Sequence, residues 1–131
     1  IDEWQIYHAK SIGADCILLI SEALTKAEIN LFIKIAKEQG LDVLLEFHNE
    51  DEITKIADIE LDVIGINNRN LHTLKTDINH CLHIRDKCTD QLSRFNIVAE
   101  SGFSKKSELE MYKTNGIDLF LIGESLLKGK L

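Results

Sequence analysis

The chain has 131 residues, of which 44% are hydrophobic and 28% are charged, and its formal net charge is -7. The negative charge argues against a nucleic-acid surface, which would need a basic stripe. No apolar stretch approaches the roughly 20 residues that span a bilayer. Three cysteines without paired spacing indicate reduced thiols and a cytoplasmic setting. We therefore expect one domain over residues 1–131, with no internal boundary and with neither a membrane nor a nucleic acid as its partner.

Helical and strand patterns alternate along the chain. Helices are predicted over residues 2–12, 25–40, 49–57, 77–88 and 104–116, and a last one opens at 123–125. Their expected N-terminal caps are Asp2, Thr25, Asp77 and Ser104. Short apolar runs typical of buried strands cover residues 15–20, 42–47, 61–66, 95–99 and 118–122. Strict alternation of the two kinds of element predicts a parallel sheet with helical crossovers.

Two architectures fit this alternation, a doubly wound open sheet and a (β/α)8 barrel. Both place ligands at the carboxyl ends of strands. The barrel is favoured because no G-x-G-x-x-G follows a first strand and because polar residues end several consecutive strands. A complete barrel has eight strands and typically about 250 residues. Five strands therefore predict a partial barrel.

Polar side chains end three consecutive apolar runs, with Glu46 and Glu100 ending two of them and Asn67 a third. A carboxylate at the inner rim of a sheet is desolvated, so its pKa should rise, and this suits a general acid or base. Taken singly, Glu46 could instead cap a helix, and Asn67 could be a turn residue. Arg69 could bind an anion or pair with an acidic neighbour. Two glutamates at matching strand ends favour a catalytic site.

Glycines follow the last two predicted strands, in Ser101-Gly102 and in Gly123-Glu124. Glycine lets an anion approach backbone N–H groups, and a helix that begins at Glu124 would direct its positive end to the same place. In barrels, phosphate often binds after the seventh and eighth strands. The alternative is that these glycines only make tight turns between strand and helix.

Two further groups of residues have structural interpretations. His80, Cys81, His83 and Cys88 lie around one predicted helix at a spacing that fits no tetrahedral metal site. We therefore expect no metal, and we expect the two cysteines to pack on one helix face. Trp4 and Tyr7 are expected to pack the first helix on the sheet.

Five motifs, in their order and spacing, closely resemble those of the indole-3-glycerol phosphate synthase family. They are residues 18–20 (LLI), 45–48 (LEFH), 64–71 (IGINNRNL), 98–102 (VAESG) and 120–126 (FLIGESL). The third and fourth motifs are the most specific, and the resemblance extends over essentially the whole chain. It implies a (β/α)8 barrel in which this chain runs from the third helix through the eighth strand. It also implies a carboxy-lyase of tryptophan biosynthesis.

The resemblance implies the substrate 1-(2-carboxyphenylamino)-1-deoxyribulose 5-phosphate, which closes a ring and loses CO2 and water to give indole-3-glycerol phosphate, without a cofactor. By this similarity Glu46 would transfer a proton in dehydration, and Glu100 would stabilise a cationic intermediate. Asn67 and Ser101 would hydrogen-bond substrate hydroxyls, and Arg69 would support the site. The phosphate would be held, largely by backbone N–H groups, at Gly102, Ile122, Gly123 and Glu124.

The same resemblance places the family's catalytic lysine just before Ile1, and another lysine and a glutamate on the first strand. We therefore expect the isolated chain to be inactive. Two other interpretations stay open. One is a non-catalytic half-barrel that binds phosphate or self-associates through its open sheet edges. The other is a sister phosphate-binding barrel with different chemistry.

Overall fold

The computed structural model describes residues 1–56, 58–129 and 131. Five strands form one sheet, in which each strand pairs in parallel with its neighbours in the chain. The strands are β1 (Cys16–Ile20), β2 (Asp42–Phe47), β3 (Val63–Asn67), β4 (Asn96–Glu100) and β5 (Leu119–Leu121). The predicted parallel sheet of five strands is confirmed.

Helices connect the strands and flank the sheet. They are α1 (Glu3–Ser11), α2 (Lys26–Glu38), α3 (Ile53–Ile56), α4 (His80–Lys87), α5 (Thr89–Leu92), α6 (Lys106–Thr114) and α7 (Glu124–Leu127). Single turns of 3-10 helix cover Ser21–Ala23 and Glu50–Glu52. The end of the predicted short helix at Ala57 lies outside the described residues. The one-turn helix α5 has no counterpart in the prediction.

The longest helix, α2, forms as its sequence predicts. The backbone N–H of Glu28 donates to Thr25 Oγ1 at 3.3 Å, and Glu28 Oε2 accepts from the backbone N–H of Thr25 at 2.7 Å. This reciprocal capping box satisfies donors that the first helical turn leaves open. One face of the helix is buried in the core, as predicted, through Ile29, Phe32, Ile33 and Ala36.

Two predicted caps are wrong. Asp77 Oδ1 accepts from the backbone N–H of Asn79 at 2.9 Å, in a turn that precedes α4. At α6, Lys105 occupies the cap position, and the Glu108 carboxylate accepts from the backbone N–H groups of Ser104 and Lys105 at 2.7 and 2.9 Å. Asp77 thus accepts from the turn before α4, and Glu108 accepts from the two residues before α6. Both helices begin later than predicted.

The expected packing of Trp4 and Tyr7 on the sheet is also wrong. Their side chains are 65% and 45% exposed, and the Trp4 ring stacks on His8 with 4.8 Å between ring centroids. Ile6 is the buried residue of α1. The apolar residues of α1 are spread around the helix and form no continuous stripe, so sequence spacing alone misplaced the two aromatic rings.

Side chains alternate between the two faces of the sheet. One set packs with the helices in the core, where Leu45, Ile64, Ile66 and Ala99 are fully buried. The opposite face is less covered: on the edge strands β1 and β5, Leu18, Leu119 and Leu121 are 41%, 42% and 47% exposed. Among the described residues, no helix has the length and apolar character needed to cross a membrane.

Candidate active site

The carboxyl ends of β2, β3 and β4 bring three polar side chains to one edge of the sheet. Glu46, Asn67 and Glu100 are only 6%, 5% and 2% exposed. In the strand register, Glu46 lies opposite Gly65, and Asn67 lies opposite Glu100. The three side chains therefore share one face of the sheet, since alternate residues of a strand point the same way. The structure thus brings these three predicted residues together at one edge of the sheet.

Asn67 fixes the geometry of the Glu46 carboxylate. Its Nδ2 donates to Glu46 Oε1 at 2.8 Å, while its Oδ1 accepts from the backbone N–H of Arg69 at 2.9 Å. His48 Nδ1 lies 2.7 Å from the Asn67 carbonyl oxygen, and the His48 ring stacks on His80 with 4.0 Å between centroids. Because both ends of the amide and its backbone are engaged, Asn67 is held in one orientation.

Glu100 is the most deeply buried charged residue of the site. Its Oε1 has no hydrogen-bond partner among the described residues. Burial raises the pKa of Glu100 well above its ordinary value of 4.5, and the neighbouring Glu46 carboxyl raises it further. The neutral acid is therefore the favoured form near neutral pH. The pKa of Glu100 thus lies in the direction expected from its position, and this carboxyl can donate a proton.

The turn after β4 is held in the left-handed region, with φ of 66° at Ser101 and 87° at Gly102. A Cβ added to Gly102 would lie 2.6 Å from Thr76 Cγ2. Glycine is therefore needed at this position for two reasons, its backbone conformation and the close approach of the loop that carries Thr76. The chain turns sharply here and presents the Ser101 side chain and the glycine backbone to the site.

Asn68 anchors this turn, and sequence reasoning missed it. Its side chain is 1% exposed, and its Nδ2 donates to the Ser101 carbonyl oxygen at 3.2 Å. Its Oδ1 accepts from the backbone N–H of Cys81 at 2.9 Å and from the Tyr112 hydroxyl at 3.1 Å. One amide thus joins the end of β3, the turn after β4 and helices α4 and α6. The sequence pair of two asparagines indicated only a turn.

An open cavity of about 520 Å³ lies over these strand ends. It is lined by every residue predicted for the site, that is by Glu46, Asn67, Arg69, Glu100, Ser101, Gly102, Ile122, Gly123 and Glu124. Four further residues complete its wall: Phe103, Ser104, Leu121 and Ser125. The carboxyl and amide groups and the two glycine turns therefore face one common space.

Arg69 and Glu124 approach each other across this cavity. Arg69 Nη2 lies 3.9 Å from Glu124 Oε2, and Lys128 Nζ lies 2.6 Å from Glu124 Oε1. The Glu124 side chain is 63% exposed. Helix α7 has only four residues, so the helix dipole expected behind Glu124 is small.

The part of the chain that the structure describes contains no cluster of metal-binding side chains. There, no group of three or more His, Cys, Asp or Glu side chains is suited to hold a metal ion. Cys81 and Cys88 are both buried and belong to the hydrophobic core. The predicted packing role of these two cysteines is confirmed.

A polar cavity at the carboxyl ends of successive parallel strands, with helices on the outer face, defines a protein of the (β/α)8-barrel class, here a partial barrel. A solved structure of D-psicose 3-epimerase in the presence of D-fructose has a similar fold. The match has a TM-score of 0.60 at 13% identity and covers 90% of this chain and 55% of that chain. At this identity the likeness concerns the fold alone.

The chain belongs to the indole-3-glycerol phosphate synthase family, whose family model matches residues 1–130. It is 40% identical over 134 residues to the indole-3-glycerol phosphate synthase of Petrotoga mobilis, a match that covers 98% of this chain and 51% of the relative. The protein of the same description from Koribacter versatilis is 41% identical over 98% of this chain and 48% of its own length. The chain thus spans about half the length of the curated relatives it matches, and the family resemblance is confirmed.

Proposed function

We propose that the protein to which this chain belongs is a carboxy-lyase that converts 1-(2-carboxyphenylamino)-1-deoxyribulose 5-phosphate to indole-3-glycerol phosphate, in tryptophan biosynthesis. Family membership supports this assignment. The observation that carries it is the shared cavity, with proton-transfer groups over β2 to β4 and glycine turns after β4 and β5. Such a cavity suits a substrate with its reacting groups at one end and a phosphate at the other.

The reaction needs proton transfers that the carboxyl groups of the site can perform. A carbon–carbon bond forms between the aromatic ring and the ketose carbonyl carbon, whose oxygen takes up a proton. Carbon dioxide then leaves the ring carbon that formed the new bond, and its bonding electrons restore the aromatic ring. The new hydroxyl takes up a proton and leaves as water, while the neighbouring carbon loses a proton and a carbon–carbon double bond forms. In this proposal Glu46 transfers the proton in dehydration, while Glu100 faces the cationic intermediate. A cation beside Glu100 favours the ionised carboxylate, so the proton that Glu100 holds in the free site becomes easier to release as the intermediate forms.

The remaining residues are proposed to bind and orient the substrate. Asn67 and Ser101 hydrogen-bond the hydroxyl groups of the sugar chain, and Arg69 supports the site at its rim. Backbone N–H groups take the phosphate, since glycine allows close approach of an anion to the backbone. The residues proposed for the phosphate are Gly102, Ile122, Gly123 and Glu124.

We propose further that the 131-residue chain alone does not complete this reaction, because the resemblance places the catalytic lysine on a strand outside it. Loss of one general acid typically lowers a rate by about 10²–10⁴-fold. The chain should therefore bind the phosphate end of the substrate without turning it over at an enzymatic rate.

A chimeric protein tests the proposed activity. In it, these 131 residues replace the matching half of the Petrotoga mobilis relative, and formation of indole-3-glycerol phosphate is followed by fluorescence. We expect product from the chimera and none from the isolated chain. Glu46→Gln in the chimera should lower kcat by about 10²–10⁴-fold, whereas Glu110→Gln, on the exposed face of α6, should not. A folded chimera that forms no indole-3-glycerol phosphate would refute the proposal, and turnover of another phosphorylated sugar would favour a sister barrel enzyme.

A second proposal concerns self-association of the chain. The edge strands β1 and β5 carry large apolar side chains that are 41–47% exposed, at Leu18, Leu119 and Leu121. Unpaired strand edges and exposed apolar patches favour pairing with another chain. Sedimentation velocity across a range of concentrations should therefore detect a dimer or larger species. A monomer at every concentration would contradict this proposal.

A further inference from the structure

We propose that Gly65 is a positioning residue of this site, because the Glu100 carboxyl occupies the space that a side chain at position 65 would fill. Gly65 lies in β3, between Glu46 on β2 and Val98 on β4 in the strand register. A Cβ built on Gly65 would lie 1.8 Å from Glu100 Oε1 and 2.9 Å from Glu100 Cδ. Both distances are far shorter than any contact that two such atoms can make.

The backbone gives no other reason for glycine at this position. Gly65 is not among the residues with positive φ, so an ordinary L-residue could adopt its conformation. A glycine inside a strand weakens that strand and often marks a close approach of another group. The third nearest atom, the Glu46 Cα, lies 3.6 Å from the added Cβ, which is an ordinary van der Waals distance. Of the neighbouring atoms that the structure describes, those of the Glu100 carboxyl are the ones incompatible with a methyl group here.

The position over Gly65 decides what surrounds the Glu100 carboxyl. There it is 2% exposed, beside Glu46, and its Oε1 has no hydrogen-bond partner among the described residues. Among the described residues, Glu46 from β2 is the titratable side chain that raises the pKa of Glu100, and Glu100 in turn raises the pKa of Cys81 on α4. A methyl group at position 65 would push the carboxyl off the strand surface toward the open cavity, where water can hydrate it. Gly65 therefore acts on the reaction through the protonation state of Glu100.

The first test is a carboxyl titration of the Gly65→Ala variant. Protein labelled with 13C at its glutamate carboxyl carbons is titrated by NMR, and the Glu100 signal is assigned by its loss in Glu100→Gln. We expect the Glu100 midpoint to fall by at least about one pH unit in Gly65→Ala, because hydration of the carboxyl favours its ionised form. An unchanged midpoint in a folded Gly65→Ala variant would overturn the proposal.

A second test covers the case in which Gly65→Ala is too unstable to titrate. Thermal unfolding is compared for Gly65→Ala in the natural chain and in a Glu100→Ala background. In the natural chain, we expect Gly65→Ala to lower the Tm, because the methyl group displaces the Glu100 carboxyl. In the Glu100→Ala background we expect an equal or higher Tm, because alanine is the better strand residue once the space is empty. A loss of equal size in both backgrounds would refute the role of Gly65.

Both measurements are made without substrate, so they separate this inference from the proposed function on which its catalytic meaning rests. If the midpoint moves while the chimera makes no indole-3-glycerol phosphate, the positioning role stands and the proposed reaction fails. The positioning role fails if the chimera is active but Gly65→Ala leaves the Glu100 midpoint unchanged and changes the Tm equally in both backgrounds.

Discussion

Replacement of Glu100 by glutamine should make the protein less sensitive to pH and more stable near neutrality. The pKa of Glu100 is raised in the folded protein, so the folded state keeps a proton that the unfolded state releases above about pH 4.5. The free energy of unfolding therefore falls as the pH rises from this value toward the folded pKa. Below pH 4.5 both states hold the proton, and Glu100 makes no such difference. Glutamine stays neutral throughout, so the variant lacks this decline.

The size of the effect follows from one proton. A difference of one bound proton between the two states changes the free energy of unfolding by about 1.4 kcal/mol per pH unit. Between pH 5 and pH 7 the Glu100→Gln variant should therefore gain up to about 3 kcal/mol relative to the natural chain. Solvent screens this carboxyl only weakly, because Glu100 is only 2% exposed.

Urea unfolding at pH 5, 6 and 7, followed by circular dichroism, measures this gain. The control is Glu110→Gln, which removes a carboxylate that is 69% exposed on α6 and pairs with Lys113 at 3.2 Å. The control should follow the pH dependence of the natural chain. Parallel curves for the natural chain and Glu100→Gln would show that the buried carboxyl is ionised at neutral pH, and the reasoning about its environment would then be wrong.

Three further predictions concern the parts of the fold that support the site. Thr25→Ala should lower the free energy of unfolding by about 1 kcal/mol, because it removes the cap of α2. Asn68→Asp should lower it by about 2–4 kcal/mol, because a buried carboxylate would replace the amide donor to the Ser101 carbonyl oxygen. A thiol reagent should modify Cys16 in the folded protein but not Cys81, which is buried and whose pKa burial raises to about 12.

The first two of these predictions have a matched control variant. Glu28→Gln keeps an oxygen in the capping box and should lose less stability than Thr25→Ala. Asn79→Asp makes the same chemical change as Asn68→Asp at an exposed position before α4, where aspartate is well tolerated; equal losses at both sites would contradict the anchoring role of Asn68. Rapid modification of all three cysteines in the folded protein would contradict the burial of Cys81.

Much of the fold is predictable because hydrophobic runs mark the buried strands, yet the strand ends are shifted by a residue or two. The prediction ended two strands at the last apolar residue, whereas pairing continues through Asn67 in β3 and Glu100 in β4. Backbone pairing does not require an apolar side chain, so the most important polar residues belong to the strands themselves. The opposite shift occurs at β5, which stops at Leu121 and leaves Ile122 in the following turn.

The site was predictable where function places a distinctive residue at a strand end, and unpredictable where it depends on a neighbour across the sheet. Glu46 and Glu100 could be found because a carboxylate after an apolar run is unusual. Gly65 has no signal of its own in the sequence, since its importance depends on the side chain that β4 places against it. Asn68 resembles any turn residue until the partners of its amide, from three other segments, are known.

The strand order of the sheet also bears on how the chain is made. Within the described part of the chain, each strand pairs with the strands that come before and after it in the sequence. Pairing between strands that are adjacent in the sequence closes shorter loops than pairing between distant strands, which lowers the entropy cost of forming the sheet. As the ribosome releases the polypeptide, each new strand meets an edge that already exists, and the sheet grows by one strand at a time. The edge of the newest strand is unpaired until the next strand has been synthesised. The rate of synthesis therefore sets how long that edge stays exposed.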